Sequence, residues 1–205
     1  YPIKNMTTIE GGVVTTDNSL WAENIRINSL HGVSADAWSR YGKQGTGHHE
    51  VVFPGFKYNM SDVQASLGLH QLLKLDGFIV QREHIVHQYN EAFSNFEEIV
   101  LLKNSENIRH AHHLYIIMLY IEKLRISRDD FVKALRKENI GTGIHFRSLH
   151  IQPYYKERFK FKESDLPNAN YISDRILSLP LYPKMSQYDA DTVIKAVKKL
   201  INYYK

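Results

Sequence analysis

Apolar positions change their period several times along the chain. Gly12 to Thr16 reads as a short strand around Val13 and Val14. Asp17 or Asn18 then offers a capping side chain, and Leu20, Ile27 and Leu30 share one side of a helical turn. A helix is expected there, ending near Leu30. Ser61-Asp62-Val63-Gln64 is a capping box, Ser at the cap and Gln three positions later. The helix it opens carries Val63, Leu67, Leu72 and Leu75 and continues past Gly77 towards Phe93. Val100 to Leu102 and Leu114 to Ile121 read as strands, the second so apolar that it is expected to be central. Ser127 starts a helix bearing Phe131, Ala134 and Leu135, which stops near Asn139-Ile140-Gly141. Gly143 to Phe146 reads as a further strand. The closing helix, Tyr188 to about Tyr203, shows Val193, Val197, Leu200 and Ile201 at helical spacing. Strands alternating with amphipathic helices indicate an α/β or α+β architecture. A change of domain is expected within the helical stretch between Asp62 and Phe93.

Between the first two helices, His31 to Tyr58 holds five glycines, a proline and the cluster His48-His49-Glu50. Long irregular connections of this kind are usually functional or mobile. No internal repeat and no low-complexity segment is present.

Composition narrows the function classes. The 205 residues are 43% hydrophobic, enough for one core or one core and a partial second. With 26 Lys and Arg against 22 Asp and Glu, the net charge is +4. Scattered, mild basicity argues against nucleic acid and suits an anionic small molecule. The chain has no cysteine. Disulfides, thiolate metal sites and cysteine nucleophiles are therefore excluded, in agreement with a cytoplasmic setting. Tyr1-Pro2-Ile3-Lys4 has neither the basic region nor the apolar stretch of a signal peptide. Leu114 to Ile121 falls far short of the roughly 20 apolar residues that span a bilayer, so no membrane role is expected.

Three stretches carry candidate chemistry. Lys4 lies just before a polar turn, Asn5-Met6-Thr7-Thr8, followed by Ile9-Glu10-Gly11-Gly12. A cofactor aldehyde needs a primary amine, and among side chains lysine alone provides one. Glycines beside the turn let backbone approach a ligand closely. Taken alone, Lys4 is equally readable as a surface lysine. Pro54-Gly55-Phe56-Lys57-Tyr58-Asn59-Met60, running into Ser61-Asp62-Val63-Gln64-Ala65, places aromatic, cationic and amide groups before a helix N-terminus, a position suited to phosphate or carboxylate. Its plainer reading is a loop entering a capped helix. Gly141-Thr142-Gly143-Ile144-His145-Phe146-Arg147-Ser148-Leu149-His150 brings two histidines and an arginine together, fit for a substrate phosphate or sugar hydroxyl, or ordinary at a strand end. His110, His112 and His113 precede the central strand. No carboxylate or cysteine pattern accompanies them, so no metal site is expected.

These segments, in this order, resemble those of the DegT/DnrJ/EryC1/StrS sugar aminotransferases, and the resemblance runs through Ser178-Leu179-Pro180-Leu181-Tyr182-Pro183 into the last helix. Within the family, Gly-Phe-Lys-Tyr-Asn and Asn-Ile-Gly-Thr-Gly-Ile-His-Phe-Arg are most like the branch that makes UDP-4-amino-4-deoxy-L-arabinose with oxoglutarate as the keto partner. The resemblance implies a type I pyridoxal 5'-phosphate-dependent aminotransferase fold. Residues 1–88 would be the C-terminal part of the cofactor-binding large domain, and 89–205 the small α+β C-terminal domain. It also implies a cytoplasmic homodimer. Lys4 takes the Schiff-base position. Lys57 stands where many relatives place an asparagine for the cofactor phosphate, and Asn59 accompanies it. Tyr58, His145, Arg147 and His150 fall in the stretches that bind the nucleotide sugar.

The implied reaction moves an amino group from glutamate to a UDP-linked keto sugar, most naturally at C4, for cell-surface polysaccharide or lipid modification. In the family, the residues that bed the cofactor ring precede the lysine, so this chain reads as the C-terminal part of such an enzyme. The rival is a truncated, non-catalytic relative that binds without reacting. A histidine-based metal hydrolase is a remote third reading.

Overall fold

A computed structural model describes residues 1–33, 50–103 and 105–205. Of the glycine-rich connection, His48 and His49 lie outside the described residues, while Glu50 is exposed. The chain divides into two compact units, Tyr1–Lys74 and Leu75–Lys205.

The first unit has little regular structure. Helix α1 spans Ser19–Ser29, and the Asn18 side chain accepts from the Trp21 amide at 3.1 Å, the expected cap. Its apolar stripe is another matter: Leu20 is exposed and α1 buries no residue. The expected strand at Gly12 to Thr16 does not form, and Val13 is 77% exposed. A strand needs a neighbouring ladder, and none reaches these residues among those described. Beyond α1 the chain turns back sharply. The Phe56 amide donates to Asn28 and the Tyr58 amide to Ser29, both at 2.7 Å, and the His31 amide donates to Phe56 at 2.7 Å. The turn depends on Gly32, whose φ of +68° is accessible to glycine and whose missing Cβ makes room for the Phe53 carbonyl. Segment 51–58 is thereby held along the end of α1, bridging Leu30 to Lys57 and Val33 to Val51.

Helix α2 runs without interruption over Asp62–Phe93, as the capping box and its continuation past Gly77 led us to expect. Ser61 and Gln64 cap reciprocally: the Gln64 amide donates to Ser61 Oγ and the Ser61 amide to Gln64 Oε1. Its early stripe, however, is largely open to solvent, with Val63 and Leu72 exposed.

The second unit has a closed core. Strands β1 (Ile99–Leu101), β2 (Tyr115–Leu119) and β3 (Ile176–Leu179) form an antiparallel sheet in that order, with β2 central. Ile117 pairs with Leu101 on one side and Leu177 on the other. Helix α3 (Arg128–Lys137), capped by Ser127, buries Phe131 and Leu135. The short helices α4 (Pro153–Phe159) and α5 (Pro167–Ser173) follow. The closing helix α6 (Gln187–Tyr204) buries Val193, Val197, Leu200 and Ile201, the positions its periodicity marked. Tyr89 and Phe93 of α2 join this core, and the Tyr89 hydroxyl donates to the Pro180 carbonyl at 2.9 Å. The expected strand at Gly143 to Phe146 reduces to one bridge, Gly143 to Ser178. Beyond it no ladder continues among the described residues, and the His145 ring lies against Ser178 Oγ. No helix is long and apolar enough to cross a membrane, among the described residues.

Candidate functional site

The Lys4 turn is tied down a few residues beyond Lys4 itself. Thr8 is 8% exposed, and its hydroxyl donates to the Glu10 carbonyl at 3.2 Å. Gln64 Nε2 donates to that same carbonyl at 2.8 Å, across 54 positions of sequence. Gln64 thus spends both ends of its amide, Oε1 on the cap of α2 and Nε2 on the turn. Ile9 holds φ +73°, an unusual state for a β-branched residue, steadied by its amide donating to Thr7 Oγ1 at 2.9 Å. Thr8 packs on the buried Gly68, where a Cβ would stand only 2.8 Å from Thr8 Cγ2. Close approach here requires glycine.

Two motifs far apart in sequence are therefore one local structure. Lys4 is exposed, and its side chain makes no hydrogen bond or ion pair among the described residues. In segment 51–58, Lys57 Nζ donates to Asn59 Oδ1, and Tyr58, 75% exposed, stacks on Phe56 with ring centroids 4.9 Å apart. Lys4, Lys57, Tyr58 and Asn59 all belong to the first unit.

The remaining candidates lie in the second unit. Half-buried His145 has its Nδ1 2.8 Å from Ser178 Oγ. Arg147 is exposed and has no side-chain partner among the described residues. His150, in the helical turn Leu149–Ile151, is 4% exposed, and its Nε2 has no partner among the described residues. Ser148 is buried too: its amide donates to Ser173 Oγ at 2.9 Å, while its own Oγ has no partner among the described residues. Buried polar atoms of this kind are uncommon in native proteins and point to a water or ligand. Sequence reasoning missed Thr8, Gln64 and Ser148. Gln64 showed only its capping role, and nothing local in the other two signals their burial.

The histidine loop before β2 is structural in character. Arg82 is buried, and its Nη1 donates to the carbonyls of His112, His113 and Leu181 at 3.2, 3.2 and 2.9 Å. His110 Nδ1 accepts from the His112 amide at 2.9 Å. Burial, and then the neighbouring His110, hold His112 below the usual histidine range. No three metal-type ligands converge among the described residues.

Comparison with known proteins gives this arrangement its relatives. The DegT/DnrJ/EryC1/StrS aminotransferase family model matches residues 1–198. Over 202 residues the chain is 46% identical to MJ1066 of Methanocaldococcus jannaschii, and equally to the spore coat polysaccharide biosynthesis protein SpsC of Bacillus subtilis. Each match covers 98% of this chain and 52% of the relative. Among solved structures, Spr1654 of Streptococcus pneumoniae, described as a sugar aminotransferase and seen in its PMP form, has a TM-score of 0.82 at 27% identity. That match covers 97% of this chain and 51% of the other. The chain spans about half the length of the curated relatives it matches, and its fold is the type I aminotransferase fold expected from its motifs. On the extent of the family match and these identities, the chain belongs to the DegT/DnrJ/EryC1/StrS aminotransferase family.

Proposed function

We propose that this chain serves a pyridoxal 5'-phosphate-dependent aminotransferase, transferring an amino group from glutamate to C4 of a UDP-linked keto sugar. The enzyme would work as a cytoplasmic homodimer in cell-surface polysaccharide or lipid modification, with product chemistry of the 4-amino-4-deoxy-pentose kind. The observation that carries the reading is the Gln64–Glu10 tie, which joins the Lys4 turn to the segment entering α2. SpsC, by its name a spore coat polysaccharide biosynthesis protein, supports a role in polysaccharide biosynthesis.

The residues present fit the cofactor. Lys4 offers an amine with no carboxylate paired to it among the described residues, on a backbone fixed by Thr8 and Gln64. Lys57 offers a point charge to a phosphate, and Asn59 an amide beside it. When bound, pyridoxal phosphate supplies the electron sink for bond breaking at the donor's alpha carbon. Lys4 would hold the cofactor covalently through its amine. Lys4 Nζ, when free, would accept the proton from the donor's alpha carbon and return it. His145, Arg147 and His150 take the sugar nucleotide's hydroxyl and anionic groups.

Borohydride trapping of the protein with pyridoxal phosphate, followed by peptide mapping, tests the anchor. The label is expected on Lys4, and Lys4→Ala should lose both the label and glutamate-dependent amination of UDP-keto sugars. A label confined to another lysine, or normal turnover in Lys4→Ala, would sink the assignment. Labelling without any turnover would favour the non-catalytic relative.

A further inference from the structure

The turn that leads into β2 is held at one ring nitrogen. His110 Nδ1 accepts from the His112 backbone amide at 2.9 Å, so that nitrogen carries no proton. The same Nδ1 lies 3.1 Å from His112 Nδ1. Two bare nitrogens would meet lone pair to lone pair, so the hydrogen-bond pattern places the proton of this contact on His112 Nδ1. His110 is thus a neutral ring with its hydrogen on Nε2, and its Nδ1 receives two hydrogen bonds from one residue.

His112 needs that support. It is 6% exposed and holds φ +45°, a left-handed state that persists only where the surroundings impose it. On the carbonyl side, the buried Arg82 reaches the oxygens of His112 and His113 through Nη1. The turn is therefore pinned by a permanent cation on one side and by a titratable ring on the other. Arg82, Glu83 and His87 of α2 face His112, while Glu83, Glu106 and Arg109 line the cleft at His110. Arg109 is paired with Asp76 at 2.6 Å. Glu83 and Glu106 are exposed, where water screens them, whereas the buried Arg82 opposes any added positive charge.

A proton added to His110 turns Nδ1 from acceptor to donor. Both bonds from His112 are then lost, and N–H groups face one another. The same turn walls a cavity of about 340 Å3 whose lining includes Val86, Asn90 and Tyr115, with the Tyr115 hydroxyl donating to Asn90 at 2.8 Å. We propose that turn 110–113 is a proton-operated latch on this cavity, closed while His110 Nδ1 is an acceptor and released when it takes a proton. Histidine changes charge between about pH 5 and 8, which sets the working range. The latch belongs to the second unit alone and does not depend on the amino-transfer reading.

Amide hydrogen exchange by NMR on the full chain tests it, read as protection factors so that the intrinsic pH dependence of exchange cancels. Between about pH 7.5 and 5.5 the His112 amide should lose protection by about tenfold or more, the scale of two neutral hydrogen bonds. The Leu119 amide, which donates to the Arg175 carbonyl at 3.0 Å, should stay about tenfold or more better protected than His112 at the lower pH, marking the opening as local. His110→Asn puts an amide oxygen near the place of Nδ1 and cannot titrate, so its His112 amide should stay protected at both pH values. His110→Ala removes the acceptor and should lose protection at both. Nitrogen-15 shifts of the His110 ring should show Nδ1 bare at the higher pH and protonated at the lower. Protection of His112 that ignores pH, equal protection of His112 and Leu119 at the lower pH, full protection in His110→Ala, or wild-type pH dependence in His110→Asn would overturn the latch.

Discussion

Gly68→Ala probes the lock that sets the backbone of Lys4. In an unconstrained helix this change is favourable by about 1 kcal/mol, because alanine loses less backbone entropy than glycine. Here the added methyl would stand 2.8 Å from Thr8 Cγ2. Carbon atoms rest at about 3.5 Å or more, so the contact must open by about 0.7 Å. Overpacking of this kind costs about 1–3 kcal/mol. The two terms oppose each other, and the net expectation is a destabilisation of about 0–2 kcal/mol.

The sign alone is a weak test, so the diagnostic is a second substitution. Thr8→Ser removes Cγ2 and keeps the hydroxyl that donates to Glu10. Alone it loses about 0.8 kcal/mol of buried apolar contact. Combined with Gly68→Ala, it vacates the space the new methyl needs. The double variant should then be more stable than the sum of the singles by about 1–3 kcal/mol. Both tryptophans, Trp21 and Trp38, precede Leu75, so their fluorescence in a urea titration reports on the first unit. Additivity within about 0.3–0.5 kcal/mol, with Gly68→Ala stabilising by its full propensity gain, would refute the lock.

In the second unit, Phe131→Ala should cost about 3–5 kcal/mol in chemical denaturation, since the ring is wholly buried against the sheet. A loss below about 1 kcal/mol would mean that α3 is not packed there. Acidification should also weaken the chain through His112. Burial holds that ring below the usual histidine value in the folded state, whereas the unfolded chain binds the proton near pH 6.5. Stability therefore falls as pH drops below about 6.5, by at most about 1.4 kcal/mol per pH unit, until the folded ring protonates as well. His112→Asn should flatten this part of a melting-temperature profile between pH 7 and 5, and an unchanged slope in that variant would assign the effect elsewhere.

What could be read from sequence was what local residues decide. Asn18, Ser61 and Ser127 announce helix starts because a cap acts within three residues, and α6 announces its buried face by period alone. The central strand was legible because Tyr115 to Leu119 is apolar on both faces. Reading failed where a partner decides. Val13 and Val14 have the composition of a strand but no ladder neighbour among the described residues, while Ile176 to Leu179 is a strand because it pairs with β2. The period of Val63 and Leu72 indicates a face suited to burial without saying what covers it. Within the candidate site, the lysine was marked by the residues beside it. Thr8 was not, since its burial depends on Gly68, far along the chain.

The two demands on such a lysine explain why its support lies elsewhere. On the proposed chemistry, Lys4 must bond to the cofactor, be displaced, and then move a proton. Burial in an apolar core would immobilise the side chain, and a carboxylate partner would occupy the amine. The backbone nevertheless has to be fixed, because small displacements of a reacting atom are costly in rate. The structure separates these demands. Lys4 itself stays exposed, while Thr8 and Gln64 converge on the Glu10 carbonyl and Gly68 admits the Thr8 methyl. On that proposal, substitution at Lys4 removes a reacting group. Substitution at Thr8 or Gly68 leaves that group in place and alters only where it is held.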